Sequence, residues 1–218
     1  MEDRKSTKAI VISLSLVLLI WSVNGMYMSF LSGYSKTLFW CLDLVQWVII
    51  PLTLTAYLSS KHDIAADQYG LSFSLLNLKA ILWTGLAMLT LYPAFFWVSD
   101  LTWDLLGQPS GFFSFHNAYP EGVMGTVIWL YSAFTAGVVE SIFFIALPWL
   151  LWSRLVKTNN MAFISITSVI FAAVHWEQGL HIISGALVFS LVACSWYLWL
   201  RNLWPVLLAH IIIDLIAL

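Results

Sequence analysis

Gly137-Val-Val-Glu140-Ser-Ile-Phe-Phe-Ile-Ala-Leu147 is almost wholly apolar and carries one acid. Glu140 lies near the centre of a longer run, 123–155, that is long enough to cross a bilayer. A charged side chain at that depth costs at least ~2.5–3.5 kcal/mol on insertion scales unless it is protonated or paired. Glu140 therefore calls for a partner elsewhere in the chain.

Composition sets the solvent. Of 218 residues, 61% are hydrophobic and only 9% charged, with a mean hydropathy of +0.89. Soluble domains run near a quarter charged, so this is the composition of an integral membrane protein. Cys41 and Cys194 both fall inside apolar runs and are expected as buried packing thiols rather than a disulfide. No nucleic-acid partner is expected; the partner of such a surface is the bilayer.

Stretches of about 20 apolar residues make spans. Seven are expected, at 8–30, 37–58, 78–98, 123–152, 161–175, 182–200 and 203–218. The first is too long and continuous for a signal-peptide core and is expected to stay as a span. With the N-terminus cytoplasmic, Arg4, Lys5, Lys8, Lys61, Lys79, Arg154, Lys157 and Arg201 fall inside and only Lys36 outside. Basic residues collect on the cytoplasmic side of membrane proteins, so the pattern supports both count and orientation. The expected fold is an all-α, polytopic helical bundle of about seven transmembrane helices, a single transmembrane domain over 1–218.

Two connections are long. One, 59–77, is expected inside. The other, 99–121, is expected outside, with Asp100, Asp104, His116, Glu121 and the aromatics Trp103, Phe112, Phe113 and Phe115. Such a mixture suits an ordinary amphipathic segment in the outer interface. Pro51, Pro93 and Pro148 lie within spans and are expected to kink them, while Pro205 opens the last helix, where a missing N–H costs nothing.

Five ionisable residues lie in or at the edge of spans: Asp43, Glu140, His175, His210 and Asp214. At 1.5 Å per residue from the cytoplasmic end, Glu140 stands ~18 Å up, His175 ~21 Å, His210 ~10 Å and Asp214 ~16 Å. Four groups from three helices thus fall in one middle-to-outer layer. His210 and Asp214 share a helix face at i and i+4, as do Phe171 and His175. Each also has a plain structural role open to it, such as a self-satisfied His210–Asp214 pair. Asp43 has Gln46 one turn on and no evident partner, so a helix-contact role is expected.

The chemistry open to the four is specific. A carboxylate and a His can share a water, one taking its proton and the other orienting it. A second His and an acid can donate hydrogen bonds to a developing oxyanion, or the acid can orient that His. Two His and two carboxylates also suit zinc, and spacing does not separate these options, although no H-E-x-x-H helix is present.

Glu140-Ser-Ile-Phe-Phe144, Phe171-Ala-Ala-Val-His175 and His210-Ile-Ile-Ile-Asp214 resemble, in order, the E-E-x-x-x-R, F-x-x-x-H and H-x-x-x-N/D motifs of the CPBP intramembrane proteases (CAAX protease and bacteriocin-processing, or Abi, family). The resemblance covers the C-terminal half and implies a catalytic core over 123–218. It implies that Glu140 activates the water, His175 assists, and His210 with Asp214 stabilise the oxyanion. It further implies no cofactor, with zinc on the same four residues as the lesser alternative. The implied substrate is a membrane-anchored protein or peptide, such as one with a C-terminal sorting tail, in the plasma membrane of a prokaryote. Ser141 and Ile145 stand where the family has Glu and Arg. Loss of both members of a buried pair is far less damaging than loss of one. The alternatives are a non-catalytic immunity or peptide-binding relative and, third, a proton-coupled transporter. A transporter usually shows repeated halves, and this chain has none.

Overall fold

The computed structural model describes residues 2–23, 26, 30–31, 33–107, 111, 118–156 and 159–217. Among them the regular structure is entirely helical. Seven helices follow in order: α1 (Glu2–Ser22), α2 (Lys36–His62), α3 (Leu78–Leu105), α4 (Gly122–Leu155), α5 (Asn160–Ala173), α6 (Leu180–Leu200) and α7 (Trp204–Ala217). Five are long and apolar enough to cross a membrane; α5 and α7, of 14 residues each, are shorter. At ~21 Å apiece, α5 and α7 fall short of a hydrocarbon layer of ~30 Å.

Side chains begin and end these helices. Ser35, Asn77 and Asn159 accept hydrogen bonds from the amides of Leu38, Ala80 and Ala162, capping α2, α3 and α5. Pro205 sits in the first turn of α7, as its missing N–H leads one to expect. The first helix starts at Glu2 rather than at 8, and α3 runs on to Leu105, so Asp100, Trp103 and Asp104 are helical rather than in a loop. Phe112, Phe113, Phe115 and His116 lie outside the described residues.

Pro51 and Pro148 act through π-turns. A proline ring clashes with the carbonyl four residues back. Those carbonyls belong to Trp47 and Phe144, and each lies within a π-helical turn, Val45–Ile49 in α2 and Ser141–Ala146 in α4. The wider turn relieves the clash without ending the helix. Trp21 bridges the two turns, its ring 4.2 Å from Trp47 and 5.1 Å from Phe144. Pro93 lies inside α3, which continues through it.

The polarity is that of a lipid-embedded bundle. Leu82, Leu89, Trp97 and Leu101 of α3 are exposed, whereas Glu140, Ser141, Thr167, Ser168, Ser190 and His210 are buried. Helix α4 is central and α3 outermost. Glycines let the backbones close: a Cβ on Gly185 would stand 2.9 Å from the Phe95 carbonyl oxygen, bringing α6 onto α3. Of the thiols, Cys194 is buried in the core, but Cys41 is exposed. An apolar run does not distinguish a core-facing position from a lipid-facing one, which is why the expected burial of Cys41 fails.

One end of the bundle gathers the basic residues. Ser6 donates to the His62 carbonyl (3.2 Å), Arg154 to Gln68 (3.3 Å), and Arg201 lies 4.1 Å over the Trp149 ring. The connection 63–77 closes that end. Its backbone oxygens at Tyr69, Gly70, Ser72 and Leu75 accept from Tyr197, the Leu203 amide, Trp204 and Asn202. Lys36 is at the opposite end, donating to the Tyr119 carbonyl (2.9 Å).

Candidate active site

Glu140 ends the first α-helical segment of α4, directly before the π-turn, and is 8% exposed. His175 lies just beyond α5, whose last residue is Ala173. Its Nδ1 is 2.7 Å from the Phe171 carbonyl oxygen. A carbonyl only accepts, so Nδ1 carries the hydrogen, and in the neutral ring Nε2 keeps its lone pair. That Nε2 faces Glu140 Oε1 at 4.0 Å.

His210 projects from the middle of α7. Its Nε2 is 3.5 Å from Glu140 Oε2 and 3.7 Å from Asp214 Oδ2. Its Nδ1 is 3.5 Å from the Ser141 hydroxyl, which is fully buried. Asp214 thus sits on the same side of the ring as Glu140, not behind it. An arrangement in which one carboxylate orients the imidazole from the far nitrogen is therefore not the one seen. The partner on the far nitrogen is Ser141. Phe189 and Phe171 flank the His210 ring at 4.7 and 6.3 Å, and Phe171 also packs on His175 at 4.7 Å.

The structure therefore brings Glu140, His175, His210 and Asp214 into one cluster. The fifth, Asp43, is not alone: Tyr131 donates to its Oδ2 at 2.8 Å. Ser141 and Ile145, which stand in place of the Glu and Arg of the motif, are both absorbed. Ser141 meets His210, and Ile145 is 4% exposed in the apolar core. Neither position leaves an orphaned charge.

The cluster lines a cavity of about 330 Å³. Residues at or just beyond the C-terminal ends of the short helices α5 and α7, namely His175, Asp214 and Ala217, line it. Trp21, Trp47, Phe95 and Phe96 supply apolar wall. Asp43 and Asp100 also reach it. A second space of about 180 Å³, between α2 and α4, is almost wholly apolar and shares Trp47 and Thr135 with the first.

Glu177 completes the wall, and nothing in the sequence marked it. It sits in the 3₁₀ turn Trp176–Gln178 between α5 and α6, 2% exposed. Burial pushes its carboxyl up to about 7. Only its place two residues after His175 could have drawn attention to it.

Among the described residues no three His, Cys, Asp or Glu side chains form a group that could hold a metal ion. No curated protein and no solved structure matches the chain. A family model does: residues 121–216 match the one described as Type II CAAX prenyl endopeptidase Rce1-like. That segment supplies α4 to α7 and all four clustered side chains, and the match is consistent with the CAAX-protease (CPBP) family.

Proposed function

We propose that this protein is an intramembrane endopeptidase of glutamic type, hydrolysing a peptide bond of a membrane-anchored protein. The family-model match over 121–216 supports a CAAX-type protease in general. The single observation that carries the finer mechanism is the position of Glu140, between His175 Nε2 at 4.0 Å and His210 Nε2 at 3.5 Å in a buried cavity.

Separations of 3.5–4.0 Å exceed a good direct hydrogen bond but let two groups share one water. Glu140 takes the water's proton. His175, its Nδ1–H held by the Phe171 carbonyl, turns a lone pair on Nε2 towards the same water and orients it. The Ser141 hydroxyl, donating to His210 Nδ1, leaves Nε2–H pointing into the cavity. There His210, with a protonated Asp214, donates to the oxyanion as the tetrahedral intermediate forms. The leaving amine recovers the proton from Glu140.

The cavity lies at the end opposite the basic residues. If those mark the cytoplasmic side, the mouth faces outward. A substrate presented there, such as a C-terminal transmembrane sorting tail, fits that placement. The apolar space between α2 and α4, which shares Trp47 and Thr135 with the cavity wall, lies where such a segment would approach sideways from lipid. The test is cleavage of tagged single-span substrates in proteoliposomes by wild type and by Glu140→Gln, with and without chelator. Cleavage lost in the variant and indifferent to chelator is expected.

A further inference from the structure

The cavity wall is chemically lopsided. Asp43, Asp100, Glu140, Glu177 and Asp214 reach it, and among the described residues no Lys or Arg does. Asp43 is answered by Tyr131, and Glu140 and Asp214 stand 3.5–4.0 Å from the two imidazoles, Asp214 Oδ2 without a hydrogen bond. Glu177 lies outside that four-residue cluster. Its side chain is 98% buried and lines the cavity, yet its Oε2 has no hydrogen-bond partner. A buried carboxyl oxygen without a partner is costly, and ionisable groups inside a membrane protein mark function.

The turn that carries Glu177 is fastened from two sides. Trp176 Nε1 donates to the Ser22 carbonyl at the end of α1 (3.0 Å). Behind the turn runs Gly111, where any Cβ would overlap the Gln178 carbonyl. Gly179, at φ +102°, lets the chain turn at once into α6. The carboxyl is therefore presented by a fixed backbone rather than a wandering loop. Its Cα is at most ~7 Å from that of His175, two residues away, which is the span of about two substrate residues. Asp100, exposed on α3, stands at the same cavity.

We propose that Glu177, with Asp100, forms a specificity subsite for a Lys or Arg side chain within about two residues of the bond that is cut. The subsite presupposes the proteolytic function proposed above. The flanking substrate positions meet Trp21, Phe95 and Phe96, so the preferred sequence is one cationic residue set among apolar ones. A charge-assisted pair in a buried site is worth about tenfold or more in affinity.

Binding separates this subsite from catalysis. The Glu140→Gln protein, reconstituted in nanodiscs, is titrated with fluorescent apolar peptides that differ only in Lys, Gln or Glu at one central position. The Lys peptide is expected to bind at least about tenfold tighter than the Gln peptide. Adding Glu177→Gln removes that ratio, and adding Glu177→Lys turns the preference to the Glu peptide. Equal affinity for Lys and Gln peptides overturns the subsite, as does a Lys preference that survives Glu177→Gln. Failure of wild type to cleave any substrate overturns the proteolytic function instead, and the two results are independent.

Discussion

Gly137 of α4 lies directly against the backbone of Ile211 of α7: a Cβ on Gly137 would stand 2.8 Å from the Ile211 nitrogen. The contact is one turn before Glu140 and one residue after His210. It sets how near α7 comes to α4, and so sets the 3.5 Å between His210 and Glu140.

Gly137→Ala is expected to push α7 outward and open the His210–Glu140 separation. Overpacking of this kind costs ~1–3 kcal/mol. Cleavage should fall by more than stability alone explains, read as residual activity at a temperature where the variant is still folded. Gly70→Ala, whose Cβ would stand 3.1 Å from the Arg201 carbonyl oxygen at the basic end, serves as the comparison.

Ser141→Ala should weaken activity modestly, by roughly three- to tenfold, since a neutral hydrogen bond is worth about 0.5–1.5 kcal/mol. The single variant Ile145→Arg places an unpaired charge in the core and should destabilise by ~3–5 kcal/mol. The double variant Ser141→Glu with Ile145→Arg should recover much of that loss. Thermal unfolding of Ser141→Glu, Ile145→Arg and the double gives the coupling directly; purely additive losses would contradict the pairing.

Glu177 gives a pH signature. Its carboxyl titrates at about 7 in the folded protein against an ordinary 4.5. Between those values the folded state holds a proton that the unfolded chain has released. Its contribution to stability therefore falls as pH rises from about 4.5 to about 7, and is level beyond. Glu177→Gln lacks this dependence. Its melting temperature, relative to wild type, should be higher at pH 8 than at pH 5. A difference that does not change with pH would contradict the burial argued here.

Sidedness is open to labelling. In a Cys41→Ser background, Glu121→Cys should react with an impermeant maleimide in intact cells. Ser74→Cys, in the connection that closes the basic end, should react only after permeabilisation. The reverse pattern would move the cavity mouth to the cytoplasmic side, and the sorting-tail proposal with it.

Much of this molecule is legible in its sequence because lipid leaves a plain signature. All seven apolar runs hold a helix, though α1 spans 2–22 against an expected 8–30 and α3 runs on to Leu105. Depth counted at 1.5 Å per residue put Glu140, His175, His210 and Asp214 in one layer, where the structure also has them. What escaped depends on long-range closure. The partner of Asp43 is Tyr131, 88 residues away. The turn that buries Glu177 is met by Gly111 and by the end of α1, both far away in sequence. The π-turns follow from Pro51 and Pro148, but proline alone does not say whether a helix kinks or widens. The far side of His210 is held by Ser141, a residue that looked only like a departure from the motif.

The most direct test remains proteolysis itself. Wild type, Glu140→Gln and His175→Ala would be reconstituted in proteoliposomes with a library of tagged single-span substrates, each with and without chelator. The proposed mechanism expects cleavage by wild type alone, unchanged by chelator. Cleavage that persists in Glu140→Gln, or that chelator abolishes, would contradict it.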